Sequence, residues 1–241
     1  HALHNHTDPT DGIRMIKSMS RGQNRRVRVP LKQARPLLLH EAVVLLSVMP
    51  ANPTGAVLAY ALGCLYGGVG RRGAVFPRNV NVPSLIVRNH HDVVRGTAAR
   101  PHIEIFLPGT KVNEPGTGIL MVVWVHYGLD QLALRDHYAT MRPEAHRGRD
   151  FPRFTLVDGS VVTAATLKLA ATALNANACR RLGLDPTEVF LLEANSFRRG
   201  SLITLYRAGE NMAIIQRMGR WSTYDIMIHH LQLSPEDMQI R

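Results

Sequence analysis

Lysine is nearly missing from this chain. Of the 29 basic residues among 241, only Lys17, Lys32, Lys111 and Lys168 are lysines, and the rest are arginines. Cysteine is scarcer. Cys64 and Cys179 are too few for a disulfide framework or a cysteine-rich zinc site, and they fit a reducing intracellular compartment. None of the twelve histidines shows HExxH spacing, which would place two ligands on one helix face. His1, His4 and His6 stand in a polar tail whose default is solvation, so no metal and no cofactor is expected. Long apolar runs are missing too. The longest obvious one spans 119–125, far short of the about 18 residues that a membrane helix needs. No signal-peptide pattern opens the chain, which begins with His. A fragment of a longer protein or a processed one is therefore expected, and a secreted protein is not.

Positive charge is what the chain has in excess. Acidic residues number 18, the net charge is +11 and the pI is near 10.5. Arginine makes planar two-pronged contacts with phosphate that lysine cannot. An arginine-dominated basic chain thus points to a polyanion, with nucleic acid as the default partner. GC-rich codon usage would favour arginine over lysine, but it does not produce the surplus. An apolar fraction of 45% excludes a mainly disordered chain. The length allows one large domain or two small ones with a real core.

The first 35 residues hold a net charge of +6, from Arg14, Lys17, Arg21, Arg25, Arg26, Arg28, Lys32 and Arg35 against Asp8 and Asp11. A short helix is expected over 12–19. An extended basic linker over 21–36, ending at Pro36, would suit a strap along a phosphate backbone. A globular domain is expected over 36–233, followed by a tail over 234–241. Apolar spacing predicts helices at 37–48, stopped by Pro50, and at 54–65, ended by the glycines of Tyr66-Gly67-Gly68-Val69-Gly70. Strands are predicted at 84–88, at 102–107, where Ile103, Ile105 and Leu107 alternate, and at 118–125. Helices follow at 162–182, 197–208, 212–218 and 222–231, punctuated by Gly183, Pro186 and Gly209. The expected fold is α+β, mainly α, with a small antiparallel sheet.

Three segments call for a joint explanation. Gly68-Val69-Gly70-Arg71-Arg72-Gly73 is a glycine-rich turn between helices that carries two arginines. Asn195-Ser196-Phe197-Arg198-Arg199-Gly200 stands at a helix start, with Ser196 as N-cap candidate. Gly219-Arg220-Trp221-Ser222-Thr223-Tyr224 leads into the last helix, which ends in His229-His230-Leu231.

Together these segments resemble the catalytic domain of the tyrosine recombinases, or phage integrases. The likeness is nearest to the recombinases of DIRS-like mobile elements of eukaryotes. It rests on Asn195-Ser196-Phe197-Arg198, on Gly219-Arg220-Trp221-Ser222, and on the rhythm of Tyr206-Arg207-Ala208-Gly209 and Ile214-Ile215-Gln216-Arg217-Met218-Gly219 between them. Trp221 follows Arg198 by 23 residues and His230 follows it by 32, the offsets of the family's Trp/His position and of its nucleophilic tyrosine. The resemblance covers about 36–233 and implies site-specific DNA cleavage and rejoining. By that resemblance Arg71 and Arg198 clamp the equatorial oxygens of a five-coordinate phosphorus. Lys111, in the turn Pro108-Gly109-Thr110-Lys111 between two predicted strands, protonates the leaving 5′ oxygen. Trp221 packs against the attacked phosphate. The further basic residues Arg25, Arg26, Arg28, Lys32, Arg35, Arg72, Arg199 and Arg220 are candidate nucleic-acid contacts.

Three positions depart from the pattern. Asn195 stands where the family has histidine, Ala74 where it has an acid, and His230 where it has the tyrosine nucleophile. Histidine would form a phosphoramidate rather than a phosphotyrosine. Tyr224, six residues earlier, lies about 9 Å back along a helix axis. Three readings stay open: a recombinase whose nucleophile is Tyr224 or His230, a binder of nucleic acid that keeps the fold without cleavage, and a structural subunit of a nucleoprotein complex. The expected partner is DNA, with RNA left open, in a nuclear or other DNA-containing compartment. A homo-oligomer on DNA is a further expectation.

Overall fold

The computed structural model describes residues 36–47, 49, 51–70, 72–77, 86–108, 118–124, 129–182 and 194–231. The basic segment with Arg25, Arg26, Arg28, Lys32 and Arg35, the expected helix at 12–19, Arg71, Lys111, Gly183, Pro186 and the tail over 234–241 lie outside the described residues.

The first helix, α1 (Leu39–Ser47), buries Ala42, Leu45 and Leu46 on one face. The Glu41 carboxylate accepts the Leu38 amide at 2.8 Å and so closes its first turn. The second, α2 (Pro53–Gly67), begins at a strong stop-start signal. Asn52 caps it by accepting the Gly55 amide at 2.8 Å, and Pro53 fills the first helical position. Its sequence is apolar almost all round, and residues 55–57 and 59–66 are all buried, so it runs through the middle of the core rather than along its surface. A four-residue helix, α3 (Arg72–Val75), follows the glycine turn.

The sheet has three antiparallel strands in the order β1 (Asp92–Thr97), β2 (Arg100–Leu107), β3 (Ile119–Trp124). Its inner face carries Ile103, Ile105, Leu107, Met121 and Val123, all at 2% exposure or less. The outer face carries the alternate residues, in cross-strand pairs His102 with Trp124, Glu104 with Val122 and Phe106 with Leu120. The strand expected at 84–88 does not form over its described part: Arg88 makes a single isolated bridge, to Pro152. Proline has no amide hydrogen to extend a ladder. The strand β1 and the helix α4 (Gln131–Met141) are additions to the expected elements.

The remaining helices are α5 (Ala164–Leu182), α6 (Ala194–Arg207), α7 (Met212–Gly219) and α8 (Tyr224–Leu231). Helix α6 starts before Ser196, which sits inside the helix, fully buried, instead of capping it. Its carbonyl takes the Leu37 amide at 2.9 Å. Gly209, at φ +78, ends α6 as the sequence predicts, with Glu210 N bonding back to Leu205 O at 3.1 Å.

The apolar interior has two parts. A large one joins α1, α2, the inner sheet face, α4 and α5, and a smaller one gathers Val69, Leu202, Leu205, Ile215, Trp221, Met227 and Leu231. Within the large part lies a polar knot. The Asp92 side chain, 1% exposed, accepts from Tyr60 Oη at 2.7 Å and Arg135 Nε at 3.0 Å. Arg153 Nε comes within 2.5 Å as an ion pair rather than as an aligned hydrogen bond. The Arg153 guanidinium lies over the rings of Tyr60 and Tyr138, 5.2 and 5.3 Å from their centroids. Burial pushes the Tyr60 hydroxyl well above its ordinary range. One carboxylate thus fastens β1, α2, α4 and the 151–155 segment to one another.

Candidate nucleic-acid interface

The site is built from the ends of two helices. Helix α2 closes with Val69 N donating to Tyr66 O at 3.2 Å and Gly70 N to Leu65 O at 3.0 Å. This paired closure needs a left-handed residue, usually glycine, at its centre. Here Val69 holds it, at φ +48, although glycines stand on both sides. A β-branched residue in that region is strained, by about 1–2 kcal/mol. Its fully buried side chain in the smaller core offsets the cost.

Helix α7 ends the same way. Arg220 N donates to Arg217 O at 3.0 Å and Trp221 N to Gln216 O at 3.1 Å, with Arg220 left-handed at φ +54. Among the described residues Val69 and Arg220 are the non-glycine positions with positive φ. Both caps deliver a main-chain carbonyl to one side chain. Arg198, on α6, donates from Nη1 to Val69 O at 3.2 Å and from Nη2 to Gly219 O. Its guanidinium lies over the Trp221 ring, 4.0 Å from the centroid. Strain at two points that converge on one arginine makes the place a candidate site.

Gly219 makes the arrangement possible. A Cβ there would stand 1.7 Å from Trp221 Cζ3, so only glycine lets the indole fold back over its own helix end. Gln216 Nε2 then donates to Trp221 O at 3.1 Å. Arg198 is 1% exposed and Trp221 4%. The two motifs that sequence reading set 23 residues apart are in direct contact, and the glycine turn that leads to Arg71 touches both.

The other candidates divide. Arg199 is 3% exposed, inside the protein rather than on its open surface, and burial lowers its pKa from the ordinary value. Arg220 is half-buried beside Trp221. Arg72 is the first residue of α3, Asn195 the second of α6 and His230 the penultimate of α8; their side chains lie outside the described set. Tyr224 opens α8 at 45% exposure. Its helix turns Met227 and Leu231 inward against the smaller core.

Sequence reading missed two contributors. Val69 acts through its carbonyl, which the Gly-Val-Gly run signals only as a turn. Trp124 Nε1 donates to Met218 Sδ at 3.0 Å, a bond from the sheet to the residue before Gly219 with no sequence signal. Nearby, the Tyr66 hydroxyl shares a 2.7 Å bond with Thr204 between α2 and α6, and burial raises its pKa to about 12. Among the described residues no group of three His, Cys, Asp or Glu side chains could hold a metal ion, and no helix is long and apolar enough to cross a membrane.

No family model matches the chain, and no curated protein matches it. Its structure is similar to that of XerH site-specific recombinase bound to palindromic difH substrate in a post-cleavage complex, with TM-score 0.58 and 10% identity over 86% of this chain. It is also similar to XerA recombinase, with TM-score 0.54 and 13% identity over 98% of this chain and 76% of that one. A third likeness is to the Tn1549 transposon integrase in complex with a circular intermediate DNA, with TM-score 0.55 and 12% identity over 92% of this chain and 72% of that one. The chain spans 52% of XerH, about half its length. Helices around a small three-stranded antiparallel sheet form the fold of the tyrosine-recombinase catalytic domain.

Proposed function

We propose that this chain is a DNA-binding domain of the tyrosine-recombinase type, part of or derived from a mobile-element recombinase. One observation carries the reading: the Arg198–Trp221 clasp, closed by the helix end that leads to Arg71. In that reading Arg198 and Arg71 face one phosphate, Lys111 acts as the acid, and Trp221 holds the guanidinium plane. The nucleophile is Tyr224 or His230. Tyr224 has the exposure an attacking hydroxyl needs.

The second reading, a binder that holds the phosphate without cutting it, is favoured by the burial of Arg198. At 1% exposure, phosphate reaches its donors only when the contacts around it open. A nicked DNA duplex separates the two. Cleavage predicts a covalent protein–DNA adduct that Tyr224→Phe or His230→Ala abolishes. Holding predicts steeply salt-dependent affinity with no adduct. Affinity that does not change with salt would sink both.

A further inference from the structure

The outer sheet face continues from the candidate site to a projecting hairpin. Strand pairing sets Arg95 opposite His102, and His102 opposite Trp124, in one row across all three strands. The His102 and Trp124 rings touch, with centroids 5.7 Å apart. Trp124 bonds Met218, the neighbour of Gly219, whose carbonyl holds Arg198. A line of direct contacts therefore runs from Arg198 through α7 and β3 to His102, and strand pairing carries it on to Arg95.

Beyond that row the β1–β2 hairpin leaves the core. Residues 94–100 are all exposed, on both faces of the ribbon. Gly96, at φ +90, shapes the turn: a Cβ would stand 2.2 Å from Arg100 O. Thr97 Oγ1 accepts the Arg100 amide at 3.2 Å. The segment 93–103 carries Arg95 and Arg100 and no acidic residue. Among the described residues Arg95 has one acidic neighbour, Glu104 at 3.7 Å, and its side chain is 63% exposed. Such an open pair is weak and yields to a competing anion.

We propose that this hairpin is a second DNA contact, in which Arg95 and Arg100 grip the phosphate backbone to one side of the Arg198 site. The proposal rests on the DNA-binding reading above. Two strand spacings place Arg95 about 10 Å from Trp124, about three rises of one DNA strand. A two-stranded ribbon is narrow enough to enter the major groove. The exposed edge of β1 is a poorer template for an added strand, because it is short and carries a charge.

The test is the salt dependence of binding to a fluorescein-labelled DNA duplex, between about 50 and 200 mM salt. The double variant Arg95→Ala/Arg100→Ala should lower the slope of log K against log salt by about 1.8, at about 0.9 per phosphate contact. Its thermal midpoint should match that of the unaltered chain. Arg180→Ala, on α5, which packs on α1 and α2, should leave the slope in place. A double variant that keeps the full slope overturns the hairpin contact and leaves the DNA-binding reading standing. Equal loss from Arg180→Ala overturns it as well, since general charge then explains the drop. A flat salt dependence in the unaltered chain overturns both proposals.

Discussion

At residues 219 and 220 two adjacent substitutions should change different properties. Gly219→Ala drives a methyl into the Trp221 ring, and relief requires the indole to leave Arg198. The expected loss is about 2–3 kcal/mol in urea unfolding, as for other overpacked core sites, together with loss of near-ultraviolet dichroism from tryptophan. Arg220→Gly removes a left-handed strain that a side chain opposes and glycine does not. That relief, up to about 1 kcal/mol, is set against the loss of the side chain's own contacts, so stability should change little while DNA affinity falls. A large destabilisation by Arg220→Gly would show that the residue serves the fold and not the ligand.

At the level of elements, the short 3₁₀ turn Asn89–His91 fixes the start of β1. Asn89 Nδ2 donates to His146 O at 3.0 Å and also to Gly148 O, and Arg142 donates to Asn89 Oδ1 and to Pro152 O. The Arg88 amide donates to His91 Nδ1 at 3.1 Å. Partial burial, then the neighbouring His90 and Arg88, hold the His91 pKa below its ordinary 6.5, with Asp150 opposing. The native state therefore binds fewer protons than the unfolded chain just below that value. Stability present above about pH 6.5 is lost as the pH falls through the window beneath it. The thermal midpoint should drop between about pH 7 and about pH 5, and His91→Asn should flatten the profile; an unchanged profile would remove His91 as the cause.

Legibility in the sequence followed the number of buried apolar positions in each element. Helix α2 and strand β2 were plain, because one is apolar all round and the other alternates without a break. Strand β1 was not: beyond Val93 every residue is exposed, so no period survives. Helix α4 buries only Gln131 and Tyr138, and its inward face looks polar on paper. The glycine at 209 announced the end of α6. Arginine and valine at the ends of α7 and α2 concealed caps of the same kind. Arg198 and Trp221 could be paired in advance only through the likeness to recombinases, since nothing in a spacing of 23 residues requires contact.

For the whole molecule, the Asp92 knot ties the sheet to the helices. Asp92→Ala leaves Arg153, itself 7% exposed, and Arg135 without their carboxylate, which should cost about 3–5 kcal/mol. Adding Arg153→Met should recover part of that loss, because it removes the uncompensated buried charge. Urea unfolding of the two single variants and the double variant gives the coupling directly. Simple additivity would mean that the ion pair does not act as a unit.

Of the two carbonyls that reach Arg198, that of Gly219 ends helix α7, where aligned peptide dipoles concentrate about half a negative charge, and that of Val69 lies in the turn that closes α2. Arg198 is thus a cation whose donors are already partly engaged by the backbone. An incoming phosphate must compete with two main-chain carbonyls for its hydrogens. Removing the guanidinium would leave two main-chain carbonyls beside a buried site without this donor. An Arg198 variant should therefore fail in folding before it fails in binding, whereas the exposed hairpin residues Arg95 and Arg100 can report on DNA binding.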